Sequence, residues 1–407
     1  MEAGRRTTVS LAIAATIGVW ILGAPRPAAA EPYMAIREGR KCGACHVNVT
    51  GSGMRTLLAN THLKEITHYR EIIPGLEEAS EVFNGQITNF FSVGGDIRLD
   101  DSIIFQDEPD AQGLVPHKAF RGNVDKNIFD LRRATTYFLF DLVPGALGTY
   151  VDVSWAPGGV TAREVFALLR SVLPWKGWVK GGRFFLDYGL RTENDNLFSV
   201  DDPTQNVFVR GRTGTDFTGN DEGLEIGFEP GPFHFSTSVT DGSPGDANIR
   251  VTSNAYAMLR GLPVIDNAIL GGSFLWLGPG DQERYVYGFY AGSNLGPFEY
   301  QAEIDFVHDD RPASTTSPER AVGNFLAYAE VNYLLFDWIN TKAIAEYSDN
   351  DGVPNSPASQ QNRFAFGIEP FIGRFLQTRL FYSIANGPKN VAETNQNRII
   401  LELHAFF

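Results

Sequence analysis

The chain has 407 residues, 43% hydrophobic, 12% aromatic and 20% charged, with 42 Gly, 30 Phe and 14 Tyr. A formal charge of −14 excludes a broad electrostatic grip on nucleic acid, which draws its affinity from Lys and Arg on phosphates. The aromatic content excludes a disordered chain, and 2 cysteines are too few for a disulfide scaffold or a four-Cys zinc site.

Residues 1–30 read as a secretory signal peptide. Arg5 and Arg6 precede an apolar run from Val9 to Ala24, and Ala28-Ala29-Ala30 offers a small-residue cleavage site before Glu31. The run is short for an uncleaved membrane anchor, and nothing around Arg5-Arg6 strengthens a twin-arginine reading. Removal of this segment leaves 31 basic and 47 acidic residues, a net charge of −16. Beyond Ala30 no run reaches the roughly 18 apolar residues of a transmembrane helix.

The next segment, residues 31–84, holds both cysteines in one pentapeptide, Cys42-Gly43-Ala44-Cys45-His46. Cys-x-x-Cys-His is the pattern for covalent attachment of a c-type haem: two thiols bind the vinyl groups and the adjacent imidazole ligates the iron. A thioredoxin-like pair needs a βαβ context that is missing, and zinc needs two further ligands at matching spacing. A plain disulfide leaves His46 unexplained. One covalent haem c is therefore expected, with Cys42 and Cys45 as attachment points and His46 as proximal ligand. Met54 and His62 are equal candidates for the second axial position, with His68 behind them and Met34 ahead of the motif. Met54 follows Gly51-Ser52-Gly53, a stretch flexible enough to fold back over a cofactor.

From about Gly85 to Phe407 the texture is that of strands. Phe138-Leu139-Phe140-Asp141-Leu142 and Tyr285-Val286-Tyr287-Gly288-Phe289-Tyr290 alternate as half-buried strands do, and no segment carries a sustained 3.6-residue period. Short breaks recur at Pro144-Gly145, Pro174 to Gly177, Pro230-Gly231-Pro232, Pro263 to Asp266, Gly296-Pro297, Asp337-Trp338 and Gly373-Arg374. The stretches between them each have a polar, loop-like centre. Eight hairpins joined by seven tight turns predict an all-β fold of about sixteen strands. Short turns on one side and longer loops on the other are the pattern of an outer-membrane β-barrel in contact with lipid. The final strand, Asn397 to Phe407, alternates and ends on Phe. The alternative, a large soluble β-sandwich, is the competing all-β architecture.

The predicted outer loops are 107–123, 156–159, 189–222, 240–248, 278–283, 308–320, 348–360 and 386–396. They hold 20 acidic and 8 basic residues, most of the net charge of the exported chain. Acidic mouths concentrate cations. Asp201-Asp202 and Asp309-Asp310 are candidate entry sites for a hard divalent cation, and loop 189–222 is long enough to fold inward and narrow the lumen.

A single Cys-x-x-Cys-His segment fused to a sixteen-strand barrel resembles the fused monohaem cytochrome c–porin family, whose best-known members are outer-membrane iron oxidases. Phe129-Asp130-Leu131-Arg132-Arg133-Ala134 and Gly182-Arg183-Phe184 also look like strand motifs of phosphate-selective-type porins. Val47-Asn48-Val49-Thr50-Gly51-Ser52-Gly53 departs from the Pro/Leu-containing stretch of the iron oxidases. The resemblance implies an outer-membrane protein of a Gram-negative bacterium, with the haem segment at the periplasmic side or in the barrel lumen. It further implies an electron-transfer oxidoreductase passing electrons from extracellular Fe(II) to a periplasmic carrier such as a soluble cytochrome. A segment of this size buries little surface alone, so docking in the barrel mouth is expected to complete its walls. An electron conduit for another donor or acceptor, and a diffusive porin with the segment as a structural or sensory plug, are the alternatives.

Overall fold

A computed structural model describes residues 32–51, 53–61, 68–72, 84–156, 159–190, 219–242, 249–278, 283–311, 320–350, 360–389 and 395–407. The signal peptide, His62 and Asp201-Asp202 lie outside these residues.

Three short helices come first: α1 (Pro32–Glu38), α2 (Cys42–Cys45) and α3 (Leu57–Thr61). A three-residue strand, β1 (Gln86–Thr88), leads into β2 (Phe91–Gln106), β3 (Val124–Val143), β4 (Leu147–Ala156), β5 (Gly159–Leu173) and β6 (Gly177–Phe185). Next come β7 (Asn220–Phe228), β8 (Phe233–Thr240), β9 (Ile249–Arg260), β10 (Asn267–Gly278), β11 (Glu283–Leu295) and β12 (Phe298–Arg311). The last strands are β13 (Arg320–Phe336), β14 (Ile339–Asn350), β15 (Gln361–Gly373), β16 (Leu376–Asn386) and β17 (Gln396–Phe406).

Each strand from β2 to β17 pairs antiparallel with its chain neighbours, and β17 returns to pair with β2 from Gln396↔Gln106 to Phe406↔Asp96. The sixteen strands thus form a closed barrel with no exposed edge. All seven breaks marked by Pro, Gly and Asp are the tight turns of one end. The terminal Phe407 exchanges backbone hydrogen bonds with Gly95 at 3.0 Å each, locking the seam.

The alternation is that of a membrane barrel. On β8, Phe233, Phe235 and Val239 face outward, while His234, Ser236, Ser238 and Thr240 are buried inside. Leu224, Leu270 and Phe289 are likewise exposed on the outer face, and inward positions carry the charges. An apolar exterior around a polar lumen suits lipid and excludes the soluble sandwich.

Three loop boundaries differ from expectation: Asn220 to Glu222, expected in the longest loop, open β7 and pair with β6. Asp309 and Asp310 belong to β12, paired with Val322 and Ala321, and β14 continues to Asn350. The ladder extends because each added pair satisfies backbone groups that a loop would leave to water.

The N-terminal segment fills the short-turn end. Pro32 opens α1, where its missing N–H is harmless. Ile36 of that helix lies against Gly292 and packs with Ile269, so no Cβ fits at Gly292. The helix ends in a left-handed cap at Gly39 (φ 59°), with Arg40 N donating to Ala35 O at 2.8 Å and Gly39 N to Ile36 O at 3.1 Å. Asn267 crowds the same glycine, leaving no room for a side chain.

Candidate functional site

Cys42–Cys45 make a single helical turn, closed by His46 N donating to Cys42 O at 2.9 Å. Residues three apart share a helix face, so the turn brings both thiols to one side with the imidazole directly after them. A tight hairpin follows. His46 and Arg55 form an antiparallel bridge, Thr56 N donates to Cys45 O at 2.9 Å and Val47 N to Met54 O at 2.9 Å.

Lumen-facing side chains grip this hairpin. Asn48 is fully buried: its Nδ2 donates to Glu164 at 3.0 Å and its Oδ1 accepts from Lys180 Nζ at 3.1 Å. Lys180 also reaches Thr50 Oγ1 at 3.3 Å and pairs with Glu225 at 2.9 Å. Met54 N donates to the Tyr150 hydroxyl at 3.0 Å, and Arg170 donates to Val47 O at 3.1 Å. Gly53 (φ 62°) passes so close to the Tyr150 hydroxyl that a Cβ there would collide with it. Val47 to Gly51, with Gly53 and Met54 after them, form a key seated in the wall of β4–β6, although Gly51-Ser52-Gly53 reads in sequence as a flexible stretch.

Burial pushes the Cys42 thiol's pKa up to about 12, with the charges of Asp187 and Cys45 adding to the rise. Burial raises the Cys45 thiol too, against the pull of Arg40 and Arg55. Gly43 and His46 border a cleft of about 340 Å³, at the low end of the roughly 300–1,000 Å³ of small-molecule sites. Val47, Val49, Leu57 and Leu139 supply apolar walls, and Arg55, Arg170 and Asp141 supply charge. The turn carries the donor set of a covalently held haem c, two thiols one helical turn apart with an imidazole next; of the motif, Gly43 and His46 border the partly apolar cleft and the two cysteines do not.

Met54 borders the same cleft and is buried in the core cluster with Val47, Tyr137 and Tyr150. His68 lies in the stretch 68–72, where Arg70 N donates to Phe371 O at 3.1 Å, and does not border the cleft. Met34 is buried there with Tyr33, Tyr69, Phe371 and Phe406. Among the described residues no group of three or more His, Cys, Asp and Glu side chains forms a metal site; the side chains of Asp309 and Asp310 are outside that description.

The start of the longest loop does turn inward. Asp187 accepts hydrogen bonds from Ser236 at 2.5 Å and Asn254 at 2.8 Å, Tyr188 donates to Asp305 at 3.0 Å, and Leu190 N donates to Glu303 at 3.1 Å. The chain therefore crosses from β6 to β12 within the lumen. His234 sits between Asp187 at 3.2 Å and Glu229 at 3.3 Å and stacks on Tyr256 with ring centroids 4.5 Å apart. Sequence reasoning missed Asn48, Lys180, Glu164, Arg170 and this histidine. The one available signal was a charge at an inward position near a short turn, as at Lys180.

No family model matches the chain, and no curated protein does. Solved structures do resemble it. A loop-L8 deletion mutant of OmpT, an outer membrane protein of Vibrio cholerae, superposes with a TM-score of 0.55 at 10% identity, covering 78% of this chain and 99% of that one. An anion-selective porin from Comamonas acidovorans gives 0.54 at 12% identity, covering 78% and 99%. The outer membrane channel DcaP of Acinetobacter baumannii gives 0.52 at 13%, covering 78% and 97%. The fold is that of a porin-like sixteen-stranded barrel of the Gram-negative outer membrane.

Proposed function

We propose that the protein moves electrons across the outer membrane through one c-type haem held in the barrel mouth by Cys42, Cys45 and His46. The observation that supports this best is the seating of the Cys-x-x-Cys-His turn inside the short-turn end, with His46 on an open cleft. When bound, the haem supplies one-electron chemistry that the side chains cannot. Cys42 and Cys45 would hold it covalently and His46 would ligate its iron. Met54 and His62 remain the candidates for a second protein ligand. Asn48, Lys180 and Tyr150 fix the attachment loop against the wall and deny it freedom to leave the barrel. Extracellular Fe(II) is the proposed donor, attracted by the excess of acidic residues in the long loops. A periplasmic carrier such as a soluble cytochrome is the proposed acceptor, reached through the short-turn mouth.

A second reading is a diffusive porin whose N-terminal segment is a structural or sensory plug. The likeness to porins favours it more directly than it favours electron transfer. One preparation separates the two: the full chain produced with c-type haem maturation, purified in detergent, then examined for covalent haem on the Cys42–His46 peptide. Anaerobic Fe(II) is added while the visible spectrum is recorded. Covalent haem reduced by Fe(II), with little ion conductance in planar bilayers, is the expected result. A haem reduced by dithionite but not Fe(II) replaces the donor. An open channel without covalent haem, under conditions that mature a control cytochrome, overturns the electron-transfer reading.

A further inference from the structure

We infer that Arg170 and Arg55 form a carboxylate-binding pair beside His46, and that the carboxylates they take are the haem propionates; this rests on the haem reading above. The cleft's apolar walls and two guanidinium groups suit a flat apolar ring carrying two carboxylates. Each cation is held where the cleft needs it. Arg170 projects from β5, and its bond to Val47 O at 3.1 Å places it against the residue that follows His46. Asp141, on β3, stands 3.5 Å away, a long contact that leaves most of the five guanidinium donors for another acceptor. Arg55 lies directly opposite His46 in the antiparallel bridge, and paired residues project to the same face. Its guanidinium is steadied over the Phe406 ring, 3.9 Å from the centroid. Of the charged groups bordering the cleft, two are cations and one is an anion, so the net charge favours an anionic ligand. Planar guanidinium recognises carboxylate in bidentate fashion, which a lysine does not reproduce.

The test uses the full-length, haem-bearing protein in detergent. The reduction potential is measured by spectroelectrochemical titration from pH 5 to 9 in the parent, Arg170→Gln, Arg55→Gln, Arg170→Lys and a control, Lys176→Gln, on an exposed turn. Removing a cation beside a propionate lowers the potential and raises the pH at which the propionate titrates, by about 1–3 units for a close charge pair. The expected result is that shift in both glutamine variants, partial recovery in Arg170→Lys, and a parent-like profile in the control. Heat-modified gel mobility confirms that each barrel has folded, and Arg55→Gln carries the test if Arg170→Gln does not fold. Haem-bearing glutamine variants whose profiles match the parent overturn this inference alone. A parent that matures without covalent haem overturns it together with the functional reading.

Discussion

On β4–β6 the inward polar groups hydrogen-bond the N-terminal segment, whereas on β14–β17 they pair chiefly with one another, Lys342 also lying 5.0 Å over the Tyr33 ring. Lys180 and Glu164 each hold Asn48, and Tyr150 takes the backbone of Met54. Across the barrel, Lys342 pairs with Glu369 at 3.1 Å, Arg379 with Glu402 at 3.0 Å, and Arg363 with Glu346. There the segment is met chiefly by apolar and aromatic groups, with Tyr33, Met34 and Tyr69 against Phe371 and Phe406. The first wall specifies which loop sits where, because buried donors and acceptors tolerate few alternative partners. The second wall stabilises itself and offers the segment a less selective surface. Changing one residue on either wall therefore ought to have different consequences for the plug.

The largest effect is expected at Lys180. Its side chain is fully buried, and Lys180→Met leaves Glu225 without its cation and removes one donor from Asn48 Oδ1, which keeps the Thr50 hydroxyl at 2.9 Å. Breaking a buried pair from one side costs roughly 3–5 kcal/mol. The plug should loosen in an otherwise folded barrel, opening the sites at Arg40, Lys41 and Arg55 to trypsin and raising single-channel conductance. Unchanged protection in Lys180→Met means that the key is not what holds the segment. Asn48→Ala is expected to act in the same direction with about 1–3 kcal/mol, since it removes the hydrogen bonds with Glu164, Lys180 and Thr50 and leaves a buried lysine and glutamate less satisfied.

Arg379→Met sharpens the contrast. It leaves Glu402 buried beside an apolar side chain, so the barrel should unfold at lower temperature by gel-shift assay. Trypsin protection of the plug should stay at the parental level, because Arg379 pairs within its own wall. A plug released as readily as in Lys180→Met would erase the distinction between the two walls.

These contrasts explain what could be read from the residues alone. Strand number followed from Pro144, Pro174, Gly296 and their counterparts, because turn chemistry is local. The polar interior followed from alternation, as on β8. Asp187 to Leu190 lead into the lumen at the start of the longest loop, while residues 191–218, on which the expected narrowing depends, lie outside the described residues. Pairing across the lumen had no such signature. Lys180 sits in Gly177–Phe185, where it looks like any inward charge, and Asn48 lies in a Gly/Ser/Thr stretch whose composition signals a loop. Their meeting joins positions 132 residues apart in sequence. His234, Asp187 and Glu229 converge from a strand, a loop and a turn for the same reason. In the attachment motif the spacing of Cys42, Cys45 and His46 was legible, because one helical turn holds it, while the cleft beside it was not, because β3 and β5 supply part of its wall.

The smallest effect expected is a pH dependence at the rim where the plug enters. Lys41 Nζ donates to Gly231 O at 2.9 Å and Phe233 O at 2.7 Å, with Glu229 at 3.9 Å. Burial pushes the Glu229 carboxyl up, but the hydrogen bond with His234 and the charge of Lys41 outweigh it and hold it below its ordinary value of 4.5. A carboxylate depressed on folding contributes stability above its unfolded pKa, and that contribution is lost as pH falls through the lowered folded value. Conductance should stay at its neutral-pH level down to about pH 4.5 and rise only below it. Glu229→Gln should abolish that low-pH rise. The change should be modest, since Lys41 keeps both carbonyl contacts and a partly exposed pair is screened by water. A rise that begins near pH 6, or one that survives Glu229→Gln, would assign the response to another group and leave the two carbonyls as the whole of the Lys41 anchor.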